Sequence, residues 1–300
     1  MMTKFDYIFI IGIARTGSKI YMNIIDLSDD TKIAPEIRFS HHFLYDIKNL
    51  IKECKNLNSN LDVNNFVNTL WSGKVNSTFW KDIENRKMSK MDLYDRIVNS
   101  NRDCKVIFSS ILESYKEGLK VNRIGAKFPV SISEAPELLK WFPNCKILHI
   151  VRDPRATSAS NARKWGDIIH DTIKRKTSLK IPKILIKKLL VIVNVFEWLQ
   201  AFEIHKRLKN NNNYFVVRFE DLIINPEINI KKICKFLDLI FDEKMLSPPV
   251  FDSSFSSQKN FGFDKNAIDR WKVYLSKFEI RWITFITKRK MEEYGYRDIK

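Results

Sequence analysis

The sequence predicts an α/β fold of three layers, in which a mostly parallel sheet is flanked by helices. Short apolar runs rich in β-branched residues alternate along the chain with longer segments of helical periodicity, an order typical of parallel sheets. These runs are almost wholly apolar, as expected of strands that are buried on both faces. The chain of 300 residues contains no internal repeat, and we expect residues 1–300 to form a single domain.

The first strand is predicted at Tyr7–Ile11, and a tight turn follows it. Gly12 and Gly17 bracket this turn, and apolar residues then recur at helical spacing at Ile20 and Ile24. Where a strand turns into a helix, backbone N–H groups converge and the helix dipole favours negative charge. The pattern therefore predicts an anion site at the turn.

The side chains of this turn suit an anion but not a magnesium ion. Two cations, Arg15 and Lys19, lie there with two hydroxyls, Thr16 and Ser18. The glycine spacing resembles the nucleotide-binding P-loop, but that pattern requires Lys followed by Ser or Thr, whereas here Ser18 precedes Lys19. No hydroxyl occupies the magnesium-ligating place, which favours a phosphate or sulfate group held without metal. An ordinary turn with a surface lysine is the alternative.

A second short strand is predicted at residues 33–34, and Pro35 then turns the chain toward Glu36. In doubly wound sheets the carboxyl ends of neighbouring strands meet at one crevice, where ligands bind. If the first two strands are adjacent, Glu36 faces the anion turn. A solvated pair of Glu36 with Arg38 is the alternative.

A second anion-binding pattern begins at the strand predicted for Asn144–Val151. Arg152 follows at the carboxyl end of this strand, Pro154 suits the first turn of a helix, and Ser160 lies about two turns into it. An arginine and a hydroxyl arranged in this way grip one phosphate from two sides.

The other elements are predicted more coarsely. Residues 44–120 should be mostly helical, with Trp71, Phe79 and Trp80 in the core rather than in a pocket. The remaining predictions are a helix at Ser133–Trp141 with Ser133 as its N-cap, helices within 182–210, a strand at Tyr214–Phe219, a helix at Pro226–Leu237 and a helix beginning at Ala267.

The chain is strongly basic, with 52 Lys and Arg against 35 Asp and Glu and a net charge of +17. Such an excess suits an anionic cofactor, an anionic acceptor, nucleic acid or an acidic membrane surface, and does not choose among them. The four cysteines form no CxxC pair, which argues against a zinc site or a disulfide framework. Cysteine usage of this kind fits a reducing compartment.

The most apolar segment of the chain is Ile181–Phe202, which three lysines and a glutamate interrupt. We interpret it as a buried or amphipathic helix rather than a transmembrane segment. The first residues lack the pattern of a signal peptide. A cytoplasmic location is therefore expected.

Several motifs, taken in order, resemble those of sulfotransferases that use 3′-phosphoadenosine 5′-phosphosulfate (PAPS). Gly12–Lys19 resembles the family's 5′-phosphosulfate loop, Arg152–Ser160 resembles its 3′-phosphate motif, and Phe219–Leu222 is similar to its common Tyr-Glu-Asp-Leu. The match spans most of the chain outside 44–120. Three further segments resemble the tail of the bacterial and tyrosylprotein-type branch: Ser253–Phe255, Arg270–Lys272 and Met291–Tyr296.

The resemblance implies a P-loop-NTPase-like fold and direct transfer of a sulfuryl group from PAPS, with no metal. It implies Glu36 as the general base and Lys127 as the cation beside the leaving oxygen, with Arg15 and Ser254 also catalytic. The residues that it assigns to the cosubstrate are Arg15, Thr16, Gly17, Ser18, Lys19, Arg152, Ser160, Lys164, Phe219, Ser254 and Arg270.

The chain departs from the family at two positions. Lys19 stands where Thr is usual, and Phe219 stands where the family often has Tyr, so that hydroxyl contacts are lost at both. Many cytosolic members of the family use a histidine as the general base. His41 and His42 are therefore the alternatives to Glu36 for this role, and His149 and His170 are weaker candidates.

The expected acceptor is a hydroxyl, or an amine, of a carbohydrate, a glycolipid or another small metabolite. Residues 44–120 and 165–210 are predicted to be helical insertions that form its side of the site. No nucleic-acid partner is expected under this interpretation. The alternatives are a P-loop kinase-like phosphotransferase and a non-catalytic basic protein that binds nucleic acid or another polyanion.

Overall fold

The computed structural model describes residues 7–39, 45–83, 87–128, 132–177, 181–251 and 259–296. Its centre is a five-stranded sheet in the order β2-β3-β1-β4-β5, and every neighbouring pair in it is parallel. A separate antiparallel pair, β6 and β7, lies in the C-terminal part. The strands are β1 Ile8–Gly12, β2 Thr31–Ala34, β3 Arg123–Phe128, β4 Lys146–Val151, β5 Tyr214–Arg218, β6 Pro249–Phe251 and β7 Lys259–Phe261.

Helices cover both faces of the large sheet, so the predicted three-layer fold is confirmed. Short 3₁₀ turns lie at 55–57, 80–82, 132–134, 243–246 and 265–267. The α-helices are α1 Ser18–Ile25, α2 Ile47–Glu53, α3 Asn60–Trp71, α4 Lys90–Val98, α5 Cys104–Leu119, α6 Ala135–Trp141, α7 Pro154–Lys176, α8 Lys183–Leu208, α9 Phe219–Ile224, α10 Pro226–Phe236, α11 Trp271–Tyr274 and α12 Lys277–Glu293.

Strand β1 is the central strand, and its residues are all buried. Alternate side chains point to opposite faces of a strand. Ile8 and Ile10 therefore pack with α1, α9 and α10, whereas Phe9 and Ile11 join the larger aromatic core beneath α3, α5 and α6. Phe79 and Trp80 are fully buried in that core, which confirms their predicted structural role.

The order of the strands differs from the simplest expectation for β1 and β2. These two strands are not adjacent, because β3 lies between them and pairs with both. Since all three are parallel, their carboxyl ends still share one edge of the sheet. Glu36 lies two residues beyond β2, and Lys127 is the second-last residue of β3, so both lie near the carboxyl ends of neighbouring strands.

Several predicted boundaries are wrong: β4 begins at Lys146 instead of Asn144, and three others differ as follows. Helix α6 begins at Ala135 with Glu134 at its N-cap, because a 3₁₀ turn at 132–134 takes up the segment in which Ser133 was expected as the cap. Phe219 opens α9 instead of ending β5, since the chain turns helical directly after Arg218. Arg270 caps the four-residue helix α11, and residues 265–267 form a 3₁₀ turn rather than the start of a long helix.

Helices α7 and α8 form a long antiparallel hairpin. Small residues of α7 let α8 approach closely: a side chain at Gly166 would come within 2.6 Å of the Lys187 stem. Farther along, Ser158 donates a hydrogen bond to Asn194 at 3.2 Å. In the part of the chain that is described, no helix has the length and apolar character needed to cross a membrane.

Candidate active site

The candidate site lies at the carboxyl edge of the sheet, where β3, β1 and β4 end side by side. The chain leaves β1 at Gly12, β3 at Phe128 and β4 at Val151. Helices α1 and α7 start directly behind two of these ends, so their N-termini point toward the same edge. This arrangement concentrates backbone N–H groups and positive helix-dipole ends, which favours an anionic ligand.

The loop between β1 and α1 has an unusual backbone. Arg15 has φ 72°, a left-handed conformation that is uncommon for a non-glycine residue, and Gly17 has φ 91°. Thr16 is buried, and its hydroxyl donates to the Ile13 carbonyl at 3.1 Å, so this hydroxyl fixes the loop from inside. A strained residue held in place by its surroundings is a feature found often at functional sites.

Gly17 also lies against an aromatic wall. A β-carbon built at this position would lie 2.5 Å from Cδ2 of Phe219, a buried residue at the start of α9. The other partner of Phe219 is the Arg152 guanidinium, whose central carbon lies 4.2 Å from the ring centroid. The ring therefore supports both the loop and the arginine, a packing role that requires no hydroxyl.

Gly17→Ala is expected to destabilise the protein by about 2–4 kcal/mol, because the substitution combines a left-handed backbone penalty with overpacking against Phe219. Gly73→Ala is the matched control. Gly73 has φ 75°, but a β-carbon there meets nothing within 4 Å, so we expect a cost of only about 1 kcal/mol. Urea denaturation of both variants measures the difference. Equal costs would contradict the close packing of Gly17 on Phe219.

The two anion motifs, far apart in sequence, meet through direct hydrogen bonds. Arg15 Nε donates to Ser160 Oγ at 3.0 Å. Arg152 Nη1 donates to the Arg15 carbonyl at 3.2 Å, and Arg152 Nη2 donates to the Ala267 carbonyl at 2.7 Å. The first motif, the second motif and the C-terminal part thus form one surface, as the sequence predicts for a single ligand.

Several cations converge on this surface, and burial or neighbouring cations disfavour the charge of some of them. Burial lowers the pKa of Arg15, and Arg152 and Arg163 lower it further. Burial likewise lowers the pKa of Lys19 and of Arg152. For Lys164, burial and the neighbouring Arg15 both lower the pKa. A bound anion would relieve this repulsion.

Lys127 is a further cation of this surface, and its pKa is lowered to about 8. Burial is the main cause, Lys19 and Lys164 add to it, and Glu36 opposes it. In β3 Lys127 pairs with Ile10 of β1, whose side chain packs on the α1 face. Lys127 therefore lies on the same side of the sheet as Lys19 of α1.

Glu36 is the acidic group beside these cations. Its Oε1 lies 3.5 Å from Arg38 Nε, and the side chain is 22% exposed. It favours the charged forms of Lys127 and Lys164, which shows that the carboxylate lies on the cationic side. The ion pair with Arg38, which is the alternative to a functional role, is therefore present in the structure.

The other predicted site residues are placed as follows. Arg270 is exposed, forms an ion pair with Asp264 and lowers the pKa of Arg152, so it borders the site. Ser18 is buried in the first turn of α1. Ser254, His41 and His42 lie outside the described residues.

The other two histidines considered from the sequence, His149 and His170, are far less suitable as bases. His149 is buried with its Nδ1 2.6 Å from the Tyr214 hydroxyl, and burial lowers its pKa to about 3. His170 pairs with Asp171 near the far end of α7. Within the described ranges no group of three His, Cys, Asp or Glu could hold a metal ion.

The structure adds three residues that the sequence reasoning missed. Arg163 lies one turn after Ser160, lowers the pKa of Arg15 and donates to the Tyr274 hydroxyl at 3.0 Å. Glu220 accepts hydrogen bonds from the Asp153 N–H at 3.0 Å and the Tyr296 hydroxyl at 2.9 Å. Trp198 Nε1 donates to the Arg152 carbonyl at 2.9 Å.

The spacing of Arg163 from Ser160 and the motif around Glu220 could have revealed the first two of these residues. Burial raises the pKa of the Glu220 carboxyl. By accepting from Asp153, this carboxyl ties the start of α7 to the start of α9, directly after β5. Trp198 lies in the middle of an apolar helix, and no signal in the sequence distinguishes it.

A comparison with protein families decides the identity of this arrangement. The family described as "Sulfotransferase family" matches residues 7–243, a span that includes both anion motifs and Glu220. The chain belongs to the sulfotransferase family. The resemblance noted in the sequence is thereby confirmed.

Known proteins that are similar to this sulfotransferase-family chain include two animal enzymes. The protein-tyrosine sulfotransferase of Drosophila melanogaster is 23% identical over 243 residues, which cover 80% of this chain and 39% of that protein. Protein-tyrosine sulfotransferase A of Caenorhabditis elegans is 23% identical over 251 residues, which cover 80% of this chain and 52% of that protein. The chain thus spans about half the length of these relatives or less.

Solved structures of sulfotransferase domains share the fold. The domain from the Synechococcus PCC 7002 olefin synthase superposes with a TM-score of 0.59 at 17% identity, covering 99% of this chain and 97% of that one. The domain from the curacin biosynthetic pathway gives a TM-score of 0.50 at 15% identity, covering 95% and 99%. The predicted P-loop-NTPase-like architecture is therefore confirmed.

Proposed function

We propose that this chain transfers the sulfuryl group of PAPS to an acceptor hydroxyl. The observation that carries the proposal is the hydrogen bond from Arg15 to Ser160, which joins the two anion motifs into one site. PAPS has anionic groups at both its 5′ and 3′ ends, and a ligand with two such groups requires two cationic elements in one surface. Membership of the sulfotransferase family supports the same assignment.

The residues fit this cosubstrate. The loop at Gly12–Ser18 and Lys19 would hold the 5′-phosphosulfate, while Arg152, Ser160 and Lys164 would hold the 3′-phosphate. The buried Nε of Arg152 has no hydrogen-bond partner among the described residues, and its guanidinium is fixed on Phe219 with two carbonyl contacts. A preorganised arginine of this kind suits an anion because little is reorganised on binding.

The proposed reaction is an in-line displacement at sulfur. The acceptor oxygen forms a bond to sulfur as its proton passes to Glu36, and the bond from sulfur to the 5′-phosphate oxygen breaks. The products are the sulfated acceptor and 3′-phosphoadenosine 5′-phosphate. Lys127 and Arg15 would stabilise the negative charge that develops during transfer.

We propose a tyrosine hydroxyl of a protein as the acceptor, in preference to the carbohydrate or small metabolite expected from the sequence. The names of the animal relatives support it.

The acceptor is tested with PAPS and a tyrosine-containing peptide, compared with the same peptide carrying phenylalanine and with a set of sugars. Sulfation of the tyrosine peptide alone is the expected result. If the sugars are sulfated and the tyrosine peptide is not, the acceptor belongs to the carbohydrate or small-metabolite class predicted from the sequence.

Calorimetric titration with 3′-phosphoadenosine 5′-phosphate tests the donor site. We expect binding that does not depend on magnesium, and a loss of about 10–100-fold in affinity for Arg152→Ala, because a charge-assisted contact is removed from a buried site. Preference for ATP with magnesium would favour the kinase-like alternative. Salt-sensitive binding of nucleic acid with no affinity for either nucleotide would favour the polyanion-binding alternative.

Two further variants separate binding from folding in this test. Ser160→Ala removes one neutral hydroxyl, and we expect a smaller loss of about 3–10-fold. Arg289→Ala, an exposed arginine on α12, should leave the affinity unchanged. If Arg152→Ala and Arg289→Ala bind equally, Arg152 does not hold the nucleotide.

A further inference from the structure

The longest helix of the described chain, α8, is apolar on the face that it does not pack against α7. Leu185, Leu189, Ile192 and Phe196 fall within about 60° of one another around its axis. Leu189 is 60% exposed and Phe196 is 61% exposed, and Ile184, Leu185, Ile192 and Val193 are exposed too. We call these six residues the α8 stripe. Its size is unusual for surface residues, which are normally scattered singly.

The stripe is not a consequence of poor packing in this part of the fold. The opposite face of α8 is well packed: Val191 and Val195 are buried against Ala159 and Ala162 of α7. The hairpin is therefore a stable support that presents the stripe outward.

The segment that carries the stripe is basic. Between residues 167 and 197 the sequence has seven Lys and Arg against two Asp and one Glu. Lys174, Arg175 and Lys176 are exposed at the end of α7, and Lys188 is exposed on α8 itself. The two Asp are already engaged, since Asp167 pairs with Lys183 and Lys187 and Asp171 pairs with His170.

We propose that the α8 stripe and the cations of its segment dock this protein on an anionic membrane surface. A helix with a large apolar face flanked by Lys and Arg lies in the interface of a bilayer, with its apolar side chains among the acyl chains and its cations at the head groups. The charge argues for a lipid surface over a second copy of this chain. Two copies meeting at the stripe would bring like cations together, and each copy carries a net charge of +17.

The hairpin is shaped for such contact. Helix α7 continues ten residues past Gly166, the point of close approach to α8, and so projects roughly 15 Å farther. Ser160 and Lys164 lie on the same helix just before this projection. Docking would therefore hold the candidate site near the membrane, although the proposal depends only on the exposed surface and not on the proposed reaction.

The test is flotation of the full chain with vesicles. Vesicles of equal parts phosphatidylcholine and phosphatidylglycerol are expected to carry the protein, and vesicles of phosphatidylcholine alone are expected to carry far less. Substituting Leu185, Leu189 and Phe196 together by Gln should lower binding to the anionic vesicles by about tenfold or more. The matched control is Leu61→Gln, since Leu61 of α3 is 67% exposed but lies outside the stripe.

The charge contribution is tested separately. Lys174→Glu with Lys176→Glu should also lower binding by about tenfold, and high salt should do the same to the unaltered protein. Lys232→Glu with Lys235→Glu, exposed on α10, is the control that should change little. Calorimetry with 3′-phosphoadenosine 5′-phosphate should be unaffected by all these variants, so failure of docking and failure of the proposed function are distinguishable.

Two results would overturn the proposal. One is equal flotation of the triple stripe variant and Leu61→Gln. The other is a concentration-dependent dimer in sedimentation that the stripe variant abolishes, with no binding to anionic vesicles, which would make a second copy the occupant.

Discussion

Glu36→Gln is expected to lower the turnover number by about 10²–10⁴-fold while leaving the affinity for 3′-phosphoadenosine 5′-phosphate unchanged. The amide has the size of the carboxylate but cannot take the proton that the acceptor hydroxyl loses on attack, and general-base catalysis contributes in this range. The affinity should persist because the motifs proposed to hold the nucleotide, Arg15 with Ser160 and Arg152, are separate from Glu36. Steady-state kinetics and calorimetry on the same preparation measure the two quantities.

Glu113→Gln is the matched control for this substitution. Glu113 is also ion-paired, with Lys116, and its side chain is 27% exposed against 22% for Glu36. It lies on α5 and accepts from the Tyr7 hydroxyl at 3.0 Å, at the start of β1 and so at the end of that strand opposite to the anion loop. We expect the turnover number of Glu113→Gln to equal that of the unaltered protein. Unchanged turnover in Glu36→Gln, with a collapse in His41→Ala or His42→Ala, would transfer the role of base to a histidine.

The anion motifs could be predicted from the sequence because each is local. A buried strand, a glycine turn and a helix fix the position of Lys19 and Ser18 within a few residues, and the strand that ends at Arg152 followed by Pro154 does the same for Ser160. Parallel strands then bring both motifs to one edge whatever the order of the strands. This is why the two motifs lie together as predicted, joined by the bond between Arg15 and Ser160.

The order of the strands could not be predicted in the same way. Pairing of β3 with both β1 and β2 is a tertiary choice that no local pattern records, and it is this pairing that sets Lys127 between Glu36 and the anion loop. The support of Gly17 by Phe219 depends on β5 and α9 folding back against the loop across about 200 residues of chain. Contacts between segments this far apart leave no periodic pattern in the sequence from which they could be predicted.

Lys127→Met is expected to lower the turnover number by about 10²–10³-fold, because a preorganised cation at the developing charge is removed from a water-poor site. Lys146→Met is the matched control. Lys146 opens β4 at the opposite edge of the same sheet, where its ammonium lies 5.1 Å from the Phe236 ring centroid. Loss of this cation should leave turnover unchanged, whereas equal losses in both variants would indicate a general effect of strand lysines.

The pH dependence of nucleotide binding tests the charge of Lys127. Its pKa of about 8 in the free protein means that it is protonated at pH 7 and mostly neutral at pH 9. An anionic nucleotide favours the charged form, so binding raises this pKa and takes up a proton between the free and bound values. Affinity for the nucleotide is therefore highest below pH 8 and falls as the pH rises, by up to about tenfold per pH unit.

Lys127→Arg makes this prediction specific, since a guanidinium keeps its charge across the whole range. Calorimetry between pH 7 and pH 9.5 should show falling affinity and proton uptake in the unaltered protein, and a nearly flat profile in the arginine variant. The variant is also expected to recover part of the turnover that Lys127→Met loses, because its charge is retained in an altered geometry. If the affinity of the unaltered protein does not change across this range, Lys127 does not contact the nucleotide, and its lowered pKa reflects burial beside Lys19 and Lys164 alone.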